Sequence, residues 1–201
     1  MNRINKPSAT FALLIAGALT LAGCNAAAPG AEPPLAGAAI GGDFALTASD
    51  GRTVKWDDFA GKYRVVYFGY AFCPDICPTD MQRVAQGLKV LKASDPAKAA
   101  KIQPIFITID PERDTPQVVG EFAAAFSPDI IGLTGTPDQI AATAKAFKVF
   151  YAKGEVVEGG GYLVDHSAIT YLFGPEGEPL ATLPTDQGAD AVAAELDRWV
   201  N

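Results

Sequence analysis

Histidine occurs once in this chain, at His166, and cysteine three times, at Cys24, Cys73 and Cys77; only two methionines add to them. Soft donors are therefore too few for more than one thiolate-and-imidazole centre. The most economical use of two thiols and one imidazole is a single soft metal ion or a single reversible disulfide. Positive charge is also short. Sixteen basic residues face 23 acidic ones, for a formal charge of −7, and a nucleic-acid partner would want a basic face. An acidic body repels phosphate and favours basic partner surfaces. Internal repeats are absent, and the chain has no long apolar run. The stretch Ala9–Leu21 is the nearest to one, and it is too short to cross a bilayer, which takes about 20 apolar residues.

What that stretch does suit is export. Arg3 and Lys6 precede it, and it ends Leu21-Ala22-Gly23-Cys24. Basic start, short apolar region and small residues describe a secretory signal over residues 1–23. The last four residues resemble a bacterial lipobox, which implies cleavage before Cys24 and lipidation of its sulfur. Cleavage would take the formal charge from −7 to about −9. Residues 24–42 follow as the lipidated cysteine and a Pro/Gly/Ala-rich tether, reaching at most about 60 Å when extended. Multiple acylation at Cys24 would anchor the chain stably, where one acyl chain would hold it only marginally. The expected location is the cell envelope, on the extracytoplasmic side.

Residues 43–201 read as one domain. With 49% hydrophobic residues the chain can bury a substantial core. Asp50-Gly51 between short apolar stretches predicts a hairpin within Asp43–Val54. Arg64–Tyr70 and Ile102–Ile109 are compact apolar runs of the kind that form buried strands. Between them, Pro78 opens a helix that carries Val84, Leu88 and Leu91 at helical spacing. Thr115-Pro116 and Thr136-Pro137 each give an N-cap followed by proline at N1, predicting helices to about Phe126 and Val149 around a short strand at Ile130–Leu133. Gly174-Pro-Glu-Gly177 predicts a second hairpin, and Gly188–Val200 a closing helix. This order implies an α/β fold with a central mixed sheet, flanking helices and an added N-terminal hairpin. A strand running into a cysteine pair and then a helix is the thioredoxin-like arrangement.

The pair lies in Cys73-Pro74-Asp75-Ile76-Cys77-Pro78, at the junction of strand and helix. A helix N-terminus carries partial positive charge and is expected to lower thiol pKa values there. Three intervening residues make a longer loop than the two usual in disulfide exchange, or set both sulfurs on one helical face, where they can chelate one ion. A permanent structural bridge is the competing reading, but one closing so short a loop gains little from loop entropy. His166 is placed in a loop just before a strand starting near Ala168. Asp165 has two readings: it orients the imidazole through the nitrogen not bound to metal, or it serves as a turn residue. Asp110-Pro-Glu-Arg-Asp114-Thr-Pro116 follows the second strand and borders the site region of an open sheet. Asp114 is a candidate support for the cysteine loop, or a surface partner of Arg113.

Taken together, Cys73–Pro78, Asp110–Pro116, Gly132-Leu-Thr-Gly135 and Val164-Asp165-His166-Ser167 resemble the SCO/SenC family of copper chaperones for cytochrome c oxidase. The resemblance extends over roughly residues 40–200 and implies a thioredoxin-like fold with an inserted hairpin. It implies one copper ion, Cu(I) or Cu(II), held by Cys73, Cys77 and His166. It further implies delivery to the dinuclear copper centre of cytochrome c oxidase subunit II or a related copper acceptor. Gly159-Gly160-Gly161 predicts a mobile histidine loop. The competing functions are a thiol–disulfide oxidoreductase using Cys73 and Cys77 as its redox pair, a peroxide reductase and a redox or copper sensor. Of these, the peroxide reductase gives no special use to His166.

Overall fold

The computed structural model describes residues 32–156 and 161–201, together with Met1. The signal segment, Cys24 and most of the tether lie outside the described residues, as do Gly159 and Gly160. Among the described residues no helix is long and apolar enough to cross a membrane.

The centre of the sheet is three parallel strands: β3 (Tyr63–Gly69), β4 (Ile102–Thr108) and β5 (Ile131–Thr134). All seven residues of β3 are buried, Arg64 among them, as expected of a largely apolar strand covered on both faces. The predicted N-terminal hairpin forms from β1 (Ala45–Ala48) and β2 (Thr53–Lys55), turning at Gly51, whose φ of +81° suits a residue without Cβ. It joins the main sheet by pairing β1 antiparallel to β5. On the other flank β8 (Thr170–Phe173) and β9 (Pro179–Thr182) make the second predicted hairpin, antiparallel to β3. The seven-stranded order is β2-β1-β5-β4-β3-β8-β9.

Helix α1 (Ile76–Ser94) connects β3 to β4, and α3 (Pro116–Ala124) connects β4 to β5, with one short turn α2 (Pro96–Ala99) between α1 and β4. Both crossovers step across the sheet in the same direction, so the right-handed rule puts α1 and α3 on one face. The rings bear this out. Phe106 of β4 stacks on Tyr67 of β3 and meets Phe122 of α3, while Tyr67 hydrogen-bonds Asp80 of α1. Helix α5 (Ala189–Trp199) joins that face, with Val192 and Leu196 packed beside Val84, Leu91 and Val65. Helix α4 (Pro137–Ala146) lies on the other, where Phe147 sits against Phe68, Phe173 and Trp56. Thr115 and Thr136 cap α3 and α4 through Val118 N–H and Gln139 N–H, as their Thr-Pro signals predict. The architecture is a thioredoxin-like α/β fold.

Two segments differ from the sequence reading. Residues expected to be tether are partly docked: Leu35 and Ile40 pack on the core, Leu35 N–H donates to Leu180 C=O and Gly41 N–H to Ala146 C=O. Two apolar side chains suffice to fasten a stretch whose composition is otherwise that of a linker. The second difference concerns His166. It does not lie in a loop but ends strand β7 (Tyr162–His166), which pairs antiparallel with β6 (Tyr151–Val156) in a separate two-stranded ribbon, Tyr151 opposite His166. Both strands are half-buried to exposed apart from Val164, so neither shows the apolar run that marks the central strands.

Candidate metal centre

Cys73 sits in the loop after β3, and Cys77 is the second residue of α1. Asp75, the residue before the helix, makes no side-chain cap; Cys77 N–H instead points at the Cys73 sulfur at 3.4 Å. The thiol loop thus folds back over the helix start, and the first sulfur does the work of a capping oxygen. The histidine ribbon closes the site from the far side of the chain. His166 Nε2 lies 3.2 Å from Cys77 Sγ, and the two sulfurs and an imidazole nitrogen all fall within 4.8 Å of one another. Cys73 and Cys77 are unbridged.

Tautomer and protonation follow from the neighbours. His166 Nδ1 is 3.1 Å from the Ser167 carbonyl, which can only accept, so Nδ1 carries the hydrogen and Nε2 presents its lone pair to the sulfur. Asp165, the sequence candidate for this task, is exposed, and its side chain makes no hydrogen bond among the described residues; the adjacent backbone carbonyl takes its place. Burial pushes the His166 pKa below its ordinary 6.5 and favours the neutral ring that can ligate a metal. The Cys77 thiol departs from expectation. Helix position was expected to lower it, but the sulfur is fully buried, and desolvation, followed by the Cys73 side chain, drives it well up. Burial outweighs the helix dipole even though Cys77 lies in the first turn, where the dipole acts.

Asp114 is completely buried beneath the cysteine loop. One carboxylate oxygen accepts from Ala71 N–H at 2.9 Å and from the Thr108 hydroxyl at 2.6 Å, while the other has no partner among the described residues. Burial raises its pKa. It braces the loop two residues ahead of Cys73 and is not paired with Arg113.

Several contacting residues escaped the sequence reading. The rings of Tyr67 and Tyr70 stand nearly perpendicular to the imidazole, at centroid distances of 6.3 and 6.0 Å. The Tyr67 hydroxyl is 3.1 Å from the buried carboxylate of Asp80, one turn after Cys77. Tyr70 OH accepts from Val164 N–H, tying β3's end to the histidine ribbon. An acid at Asp80, inside the apolar stripe of α1, was the readable sign, because a buried carboxylate needs a partner.

The sequence profile described as SCO1/SenC matches residues 32–201. The chain belongs to the SCO1/SenC family. It is 44% identical over 146 residues to Protein SCO1 homolog 1, mitochondrial, of Arabidopsis thaliana, a match covering 72% of this chain and 42% of the relative. The chain spans about half the length of the curated relatives it matches. Among solved structures, copper-bound ScoI of Bradyrhizobium japonicum superposes with a TM-score of 0.72 at 34% identity, covering 80% of this chain and 99% of that one. Yeast Sco1 with copper bound gives a TM-score of 0.73 at 34% identity, covering 81% and 88%.

Proposed function

We propose that this protein is a membrane-tethered copper carrier that takes up one copper ion on Cys73, Cys77 and His166 and passes it to the dinuclear copper centre of cytochrome c oxidase subunit II or a related copper acceptor. The observation that carries the reading is the convergence of two sulfurs and one lone-pair nitrogen within 4.8 Å. Two thiolates favour Cu(I), and imidazole added to them also accommodates Cu(II). Relatives sharing about a third of their residues with this chain have been solved with copper bound. Membership of the family supports an oxidase-assembly role, and Leu21–Cys24 supports a lipid anchor at the cell envelope.

The residues suggest how uptake and release work. Without metal, the raised pKa of Cys77 keeps that buried thiol neutral, so its sulfur holds no charge before a cation arrives. An arriving cation makes ionisation favourable, and the thiol proton is lost as copper binds. Three protein ligands leave a position for a donor from the recipient. Transfer then proceeds by stepwise ligand exchange, with His166 the ligand best placed to leave first, since it stands on a ribbon outside the main sheet.

The closeness of the sulfurs supports a second reading, thiol–disulfide exchange. In it the two thiols form a disulfide, and the two electrons and two protons reduce a recipient disulfide to a dithiol. Anaerobic Cu(I) titration with X-ray absorption on the wild type and the three single ligand variants tests the first reading. One copper per chain with sulfur and nitrogen neighbours supports it. If copper-loaded protein fails to metallate a reduced recipient, while copper-free reduced protein restores an oxidised one, the exchange reading replaces it.

A further inference from the structure

The loop Asp110–Thr115 sits between the two segments that bring the ligands together, and it divides its charged residues between them. Asp114 turns inward to the cysteine loop. Asp110 and Arg113 turn to the histidine ribbon. Arg113 Nε meets Asp110 Oδ2 at 2.5 Å, its Nη1 donates to the Tyr162 carbonyl at 2.9 Å, and its guanidinium lies 3.6 Å from the centre of the Tyr162 ring. The same guanidinium is 5.1 Å from the ring of Phe72 and 5.6 Å from that of Tyr70, both in the approach to Cys73. Tyr162 OH completes the closure by donating to Asp110 Oδ1 at 2.7 Å. Asp110 is only 4% exposed, so its carboxylate is committed to this pair of donors. Nearer the surface, Lys153 of β6 pairs with Glu112 at 2.6 Å and lies over the Tyr162 ring.

The ribbon needs such a fastening. It shares no ladder with the seven-stranded sheet, and a cavity of about 150 Å³ lies between it and the loop, lined by Asp110, Glu112, Tyr151, Lys153 and Tyr162 among others. Among its described residues only Val164 is buried, so side-chain clamps hold the rest.

We infer that Arg113 is a positioning residue for His166: by bridging Tyr162 to Asp110 and to the cysteine-loop aromatics, it fixes the ribbon so that the imidazole rests against Cys77. Its planar fork reaches a carboxylate, a carbonyl and an aromatic face at once, and a lysine in its place can satisfy only some of these. The assignment rests on the copper-carrier reading for its purpose, but the clamp itself is a property of the metal-free chain.

The test uses Arg113→Met and Arg113→Lys in the full chain. In metal-free protein, amide hydrogen exchange across residues 151–156 and 162–166 rises about ten-fold or more in Arg113→Met and less in Arg113→Lys, while exchange in β3 and β4 is unchanged. With copper, Arg113→Met keeps one Cu(I) per chain, loses nitrogen from the X-ray absorption signature, and releases Cu(I) to a chelator about ten-fold faster. In a His166→Ala background the same substitution adds nothing to the release rate. Unchanged exchange in the ribbon overturns the assignment, and so does an equal acceleration of release with and without His166. Tyr162→Phe removes the bond to Asp110 while keeping the ring, so it opens the ribbon only partly. Should Arg113→Met not fold, no opening in Tyr162→Phe overturns the clamp. If the wild type takes up no copper, the carrier reading falls while the exchange data still decide the clamp.

Discussion

His166 Nε2 rests 3.2 Å from Cys77 Sγ although 89 residues separate them. Neither side chain can be understood alone. The thiol is held neutral by burial, and the imidazole is kept neutral by burial and aimed by the Ser167 carbonyl. The pair is a ready receptacle for a cation, since the imidazole already presents a lone pair and only the buried thiol has a proton to shed.

Loss of either sulfur is the most severe test of that receptacle. Cys73→Ser or Cys77→Ser removes one of two soft donors, and stable Cu(I) binding is expected to disappear in each. His166→Ala should retain Cu(I) but weaken overall affinity by about 100-fold or more, with Cu(II) suffering most. Competition against a Cu(I) chelator measures both, and unchanged affinity in His166→Ala would remove the imidazole from the site.

Burial also separates the two thiols chemically. Cys77 is 0% exposed and Cys73 9%, and desolvation raises the Cys77 pKa. Metal-free protein treated with iodoacetamide should therefore be modified at Cys73 well before Cys77, as read by peptide mass spectrometry. Equal labelling rates, or Cys77 reacting first, would contradict the buried position of that sulfur.

Asp114 gives a pH signature of defined sign. Its folded pKa is raised above the ordinary 3.8 by burial. Between those two values the native state keeps a proton that the unfolded chain has released, so stability declines as pH climbs through that window. Asp114→Asn should abolish this slope and cost less than about 1 kcal/mol near neutrality, since an amide oxygen still serves Ala71 N–H and Thr108. Asp114→Ala strands those donors and should cost about 1–3 kcal/mol. Urea midpoints for the three proteins across mildly acid to neutral pH decide the matter.

Gly69 supplies a fourth test. A Cβ there would stand 2.9 Å from Cys77 Sγ and 2.9 Å from Tyr67 Cε1. Gly69→Ala should therefore push the sulfur from its seat, costing about 1–3 kcal/mol of stability by overpacking and weakening copper retention with all three ligands still present. A variant with wild-type melting and wild-type affinity would show that the sulfur has room to spare.

The sequence carried the central sheet well because its signals there were strong and local. The runs at Arg64–Tyr70 and Ile102–Ile109 were predominantly apolar, and Thr-Pro pairs announced α3 and α4. It carried the ribbon poorly. Tyr151–Val156 mixes lysine, glycine and glutamate with its apolar residues, so pairing with Tyr162–His166 depends on contacts from outside, Arg113 and Tyr70 chief among them. Scarcity and the family resemblance together pointed to Cys73, Cys77 and His166, which the structure brings together, but their surroundings were not legible. Desolvation of Cys77, the substitution of the Ser167 carbonyl for Asp165 and the partnership of Tyr67 with Asp80 all arise from packing between distant segments. Spacing within a single segment contains no trace of them.

The docking of Leu35 and Gly41 has a mechanical corollary. These residues grip Leu180 and Ala146, near the end of the sheet where the parallel strands begin, whereas the sulfurs crown the end where β3 finishes. A pull on Leu35 and Gly41 would therefore load the domain at its base, at the opposite end of β3 from the two sulfurs.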